Sequence, residues 1–231
     1  AHASIPHEGV ILDDGKRSST TGSAFSLSDD GVWLTARHVA DGCDTTWIQI
    51  TPKKALKVRR TIIHPRADVA VLTTRGGPSG LTLSDAQPRR GDAAFKIGFP
   101  KGAPGAVHGR YLGEIAMRHR GRNGYREKVN VWSEVSRIPG QFGSLGGLSG
   151  GAVFDDTGRI IGVVEAESRR RGRIMTAKPR TMREIIKRAR VNVKPGETAG
   201  GGFSQNAYPQ AARRLITTLR IARVVCRVNV F

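Results

Sequence analysis

Two cysteines, Cys43 and Cys226, in 231 residues are too few for a disulfide framework or a cysteine-ligated zinc site. Aromatic residues are 6% of the chain, which leaves little with which to stack nucleic-acid bases. Apolar runs stop at four or five residues, so no segment can cross a bilayer as a helix. Acidic residues are scarce, 19 against 38 Lys and Arg, and the formal net charge is +19. Charged residues still total 25%, an average share that argues against wholesale disorder. The chain opens on Ala1-His2-Ala3 with no signal-type apolar stretch, which reads as a processed or trimmed end.

What is present is short-range alternation. Ala24-Phe25-Ser26-Leu27-Ser28 alternates, Asp29-Asp30-Gly31 turns, and Val32-Trp33-Leu34 resumes, the pattern of a hairpin. Ala152-Val153-Phe154 and Ile160-Ile161-Gly162-Val163-Val164 form a second hairpin around Asp155-Asp156-Thr157-Gly158. Further short strands fall at Thr46–Ile50, Val69–Leu72 and Ala94–Ile97. With 29 Gly and 11 Pro, this spacing predicts an all-β barrel or sandwich. The polar stretch Ser84–Asp92 divides the strands into two similar sets, one about 18–84 and the other about 91–178. Met182, Ile185 and Ile186 recur at helical spacing, predicting a helix about 180–190. Pro195–Gly202 reads as a flexible linker, and residues 191–231 as a basic C-terminal extension. Within that extension Arg213, Arg220 and Arg227 repeat every seven residues. They fit either a basic amphipathic helix at a membrane surface or partner, or a segment that packs on the barrel or is poorly ordered, and the second reading is expected.

Three local patterns carry chemistry. His38 follows a strand in Val32-Trp33-Leu34-Thr35-Ala36-Arg37-His38, and Asp68 stands at the mouth of the apolar strand Val69–Leu72. Ser149 lies in the glycine-rich turn Gly146-Gly147-Leu148-Ser149-Gly150-Gly151. Singly, each is ordinary: a histidine after a strand, an aspartate cap, a Gly-Ser loop. Together they supply a nucleophile, a base and a carboxylate to orient the base. A serine hydroxyl is a poor nucleophile until an imidazole takes its proton. The glycines leave backbone N–H groups free to converge on an oxyanion, the candidates being Gly147 and Ser149.

These segments resemble the histidine, aspartate and nucleophile motifs of trypsin-like serine proteases. Gly22-Ser23-Ala24-Phe25, Gly91-Asp92 and Ile97-Gly98-Phe99-Pro100 bring the likeness closest to the bacterial HtrA-type branch. The resemblance spans roughly residues 20–190. It implies two six-stranded β-barrels with a C-terminal helix in a protease domain over 1–190, and peptide hydrolysis through an acyl-enzyme. His38, Asp68 and Ser149 would be catalytic. It also implies that Gly143, Ser144, Glu165, Ala166 and Glu167 bind substrate. No metal or cofactor is expected, and the tail is too short for the peptide-binding domain that HtrA-type proteins often append. Leu148 stands where many relatives carry Asp or Asn, so activation by N-terminal cleavage is not expected. Glu165 would be a carboxylate buried beside Asp68, which makes the register of its strand a point for the structure to decide. An uncharged pocket floor predicts a small or uncharged side chain before the scissile bond, whereas Glu167 facing the pocket would favour Lys or Arg. Cys43 falls where pancreatic relatives carry a disulfide cysteine. Its sole intrachain partner would be Cys226, and a small buried residue is the expected reading.

The implied partner is a polypeptide substrate, and the implied location is extracytoplasmic, periplasmic or secreted. The clusters Arg118, Arg120, Arg122, Arg126 and Arg169–Arg173 could favour an anionic surface or polymer. Nucleic acid is not expected, because no binding motif accompanies the charge. The competing reading is a catalytically silent binding module with a protease fold.

Overall fold

The computed structural model describes residues 11–13, 18–120, 124–141, 143–193, 196–200 and 203–229. Both expected hairpins form: β2 (Thr20–Ser28) with β3 (Val32–Thr35), and β11 (Ala152–Phe154) with β12 (Ile160–Ser168). The helix α1 (Arg37–Ala40) is a single turn leaving β3. The first half continues through β4 (Thr45–Thr51), β5 (Lys54–Lys57), β6 (Arg60–Ile63) and β7 (Ala70–Thr73). The second half comprises β8 (Ala93–Gly98), β9 (Gly105–Arg120), β10 (Tyr125–Ile138), β11, β12 and β13 (Arg173–Thr176). Pairing of β8 with β9 closes these six strands into a barrel. A short strand β1 (Ile11–Asp13) adds to β9 in parallel. The helix α2 (Pro179–Ala189) follows β13 and buries Met182, Ile185 and Ala189, as its periodicity predicts.

The fold is the trypsin-like double barrel. The described residues of the C-terminal segment pack on the closed barrel and pair into the first sheet, the second part being unforeseen. The helix α3 (Tyr208–Thr217) lays Tyr208 against the Phe95 and His108 rings of the closed barrel. Strand β14 (Ile221–Arg227) then inserts between β2 and β4. The N-terminal half is thereby a curled seven-stranded sheet, ordered β5-β4-β14-β2-β3-β7-β6. Of the heptad arginines, Arg213 lies on α3 and Arg227 on β14, while Arg220 is a buried anchor. Arg220 donates to the carbonyls of Gly80 (3.0 Å) and Glu197 (2.9 Å). The repeat therefore marks no single helix.

The expected linker is also pinned where it is described. Glu197 bridges to Leu81, and the Ala199 N–H donates to the Gly158 carbonyl. Cys43 and Cys226 form a disulfide across 183 residues, so Cys43 is not the lone buried residue expected. One apolar cluster joins Phe25 and Val71 of the first half to Phe95, Ile160, Ile185 and Leu215 of the second. Of the first arginine cluster, Arg118 and Arg126 oppose each other on β9 and β10, and Arg122 lies outside the described residues.

Candidate active site

The two halves meet where β3, the approach to β7, and the β10–β11 loop come together. There His38 sits on α1, two residues after the Ala36 cap that follows β3. Its backbone N–H donates to Asp68 Oδ1 (2.9 Å), and its Nδ1 stands 2.6 Å from Asp68 Oδ2. Asp68 is 1% exposed, whereas the His38 side chain is 36% exposed. One edge of the imidazole is thus gripped by a buried carboxylate while the ring stays accessible.

Ser149 is presented by a turn that β2 holds in place. The Ser23 N–H donates to the Ser149 carbonyl (2.8 Å), and the Ser23 hydroxyl to the Gly147 carbonyl (2.8 Å). Gly150, at φ +84°, passes so close to β2 that a Cβ would lie 2.0 Å from the Ser23 carbonyl oxygen, so no side chain fits. The Gly146 carbonyl accepts the Lys101 N–H (2.6 Å), which turns the N–H of Gly147 the opposite way. Among the described residues neither the Gly147 nor the Ser149 N–H donates to a protein acceptor. The Ser149 hydroxyl donates to the Glu165 carbonyl (3.3 Å).

A pocket of about 110 Å³ opens beside Ser149. Ser144, Ala166 and Glu167 line it, with Leu145, Val164 and Ile174 as apolar walls. Gly143 is exposed and Glu165 buried, and neither lines it. A register shift between Val164 and Ala166 puts Glu165 on a bulge, so it meets the Ser149 hydroxyl through its carbonyl instead. Glu167 faces the pocket, yet its carboxylate accepts the Leu145 N–H (2.9 Å) and lies 3.8 Å from the Arg137 guanidinium. Its charge is already engaged.

Behind Asp68 lies a polar cluster in which Glu165, expected there from the sequence, is joined by Glu127 and His119, which were not. The Asp68 N–H donates to Glu127 Oε1 (2.9 Å), and His119 Nε2 lies 2.7 Å from the same oxygen. Burial, with the Glu127 and Asp68 carboxylates nearby, pushes the Glu165 carboxyl well above the usual range. The available signal was parity: Met117 and His119 on β9, and Tyr125, Glu127 and Val129 on β10, alternate with the exposed Arg118, Arg126 and Lys128.

The family model described as a trypsin-like peptidase domain matches residues 22–163. The chain belongs to the trypsin-like peptidase family. Within it, the relatives are of HtrA type. A probable periplasmic DegP-like serine endoprotease of Pseudomonas savastanoi pv. phaseolicola is 27% identical over 150 residues, covering 64% of this chain and 29% of the relative. A protein of the same description from Brucella suis is 27% identical over 154 residues, with 64% and 28% covered. This trypsin-like peptidase chain thus spans under a third of the length of the curated relatives it matches. Among solved structures, the active form of a Mycobacterium tuberculosis protease superposes with a TM-score of 0.62 at 19% identity, covering 77% of this chain and 76% of that one. An HtrA-type protease, AlgW, solved with a decapeptide, gives 0.54 at 23% identity, with 72% and 51% covered. At these identities the superpositions speak for the fold.

Proposed function

We propose that the chain is a serine endopeptidase working through a covalent acyl-enzyme, with His38, Asp68 and Ser149 as its triad. The observation that carries the reading is the two-point hold of the buried Asp68 on His38, through the backbone N–H and through Nδ1. That hold fixes the tautomer with the proton on Nδ1, leaving Nε2 as the base. In the reaction His38 takes the Ser149 proton, Ser149 Oγ attacks the peptide carbonyl, and Asp68 stabilises the imidazolium that results. The Gly147 and Ser149 N–H groups receive the oxyanion. His38 then protonates the leaving amine, and water, deprotonated by the same imidazole, releases the acyl group. The orientation of the 146–147 peptide supports this assignment of donors, each worth about 10²–10³ in rate.

The substrate is a polypeptide. The family habit, the periplasmic relatives and the disulfide together support an extracytoplasmic site of action. A fluorophosphonate probe tests the assignment. The protein should label at Ser149, and Ser149→Ala should lose labelling with its circular dichroism unchanged, turnover falling by up to about 10⁶. A folded protein that never labels would instead be the silent binding module.

A further inference from the structure

Glu165, Glu127 and His119 come from three strands, β12, β10 and β9, and converge behind Asp68. Their candidate ligand atoms all lie within 4.8 Å of one another. The three side chains are at least nine-tenths buried: Glu165 is 1% exposed, and the side chains of His119 and Glu127 are 1% and 5% exposed. Among the described residues neither oxygen of Glu165 has a hydrogen-bond partner, nor does Glu127 Oε2. His119 Nε2 is paired with Glu127 Oε1 at 2.7 Å, and a metal ion would take the place of that contact. Buried polar atoms in native proteins are normally satisfied, and three converging orphaned oxygens call for a shared partner.

We propose that His119, Glu127 and Glu165 bind a divalent metal ion of the zinc class. One imidazole nitrogen with carboxylate oxygens is a ligand set that suits zinc, and the imidazole disfavours magnesium or calcium. Two carboxylates and a neutral imidazole give the ion electroneutrality in a site where bare carboxylates are costly. Tetrahedral zinc ligands at about 2.0–2.2 Å lie about 3.3 Å apart, so closing the cluster onto an ion takes shifts on the order of 1 Å. The ion would tie the β9–β10 hairpin to β12. Glu127 would carry the constraint onward through the oxygen that already holds the Asp68 N–H. The inference does not depend on turnover.

The test uses the full chain without an affinity tag. Co²⁺ titration should give the visible absorption of a low-coordinate nitrogen–oxygen site, saturating at about one ion per chain. Zn²⁺ at about 100 times its Kd should raise the unfolding midpoint by roughly 5–10 °C. Glu165→Gln and His119→Gln should each lose the absorption and the shift. Absent Co²⁺ absorption together with an unmoved midpoint in the unmodified chain would overturn the proposal, and that readout does not depend on any variant folding. Equal responses in the two variants would overturn it as well, since the ion would then be bound elsewhere. A proton held by Glu165 would in that case account for the orphaned oxygens.

Discussion

Lys96 lies wholly inside the closed barrel, with its Nζ 4.3 Å from the centre of the Trp132 ring and donating to the Ala94 carbonyl (3.2 Å). Burial drives its amine well below the ordinary lysine range, with Glu134 opposing the shift weakly. The unfolded chain therefore binds more protons than the folded one, and stability rises with pH toward the lysine range. Lys96→Met should remove that slope and add roughly 1–3 kcal/mol at neutral pH. Urea melts at two pH values read both effects, and a variant with an unchanged slope contradicts the account. At the pocket, Glu167 is occupied by the Leu145 N–H and Arg137, which leaves Leu145, Val164 and Ile174 to set the preference. A peptide library should accordingly show small uncharged residues before the scissile bond. Strong Arg or Lys selectivity would mean that Glu167 turns to the substrate.

Among elements, β14 carries the clearest test, because it comes from the far end of the chain and completes the first sheet. It pairs along both sides, with six residues of β2 and five of β4, so removing it leaves two rows of backbone groups unpaired. The Cys43–Cys226 bond fastens this strand to the segment just after α1, which bears His38. Closing a loop of 183 residues restricts the unfolded chain strongly. Replacing both cysteines by serine should cost about 2–5 kcal/mol, measured by chemical denaturation. Loss under about 0.5 kcal/mol would show that the strand pairing alone fixes the register. Strand β2 serves the site from the other side, since Ser23 bonds to both Gly147 and Ser149 and spans the two halves of the molecule.

On the whole molecule, cations outnumber acids two to one, and Arg169–Arg171 form an exposed turn directly after β12. Acidic peptides should be cleaved faster than neutral ones at low salt, and the gap should close as ionic strength approaches about 1 M, where the screening length is about 3 Å. A ratio that does not change with salt would remove these arginines from recognition. How far this molecule can be read without coordinates follows from the range of the interactions involved. Alternation of Phe25, Leu27 and Trp33, the Asp-Gly turns, and Met182 with Ile185 are local signals, and they foretell β2, β3, β11, β12 and α2. The residues of the proposed triad were legible because each rests on a short motif whose backbone demands are local, such as the glycine that only Gly150 can supply. The strand β14 was not legible, because Arg227 on it continues a seven-residue arginine repeat that suggests a helix, and its β2 partners lie some 200 residues away in sequence. The cysteine pair, the burial of Glu165 on a bulge and its convergence with His119 and Glu127 likewise depend on which strands become neighbours. Local pattern decides what a segment can form; only tertiary packing decides which charges, thiols and unpaired edges end up face to face.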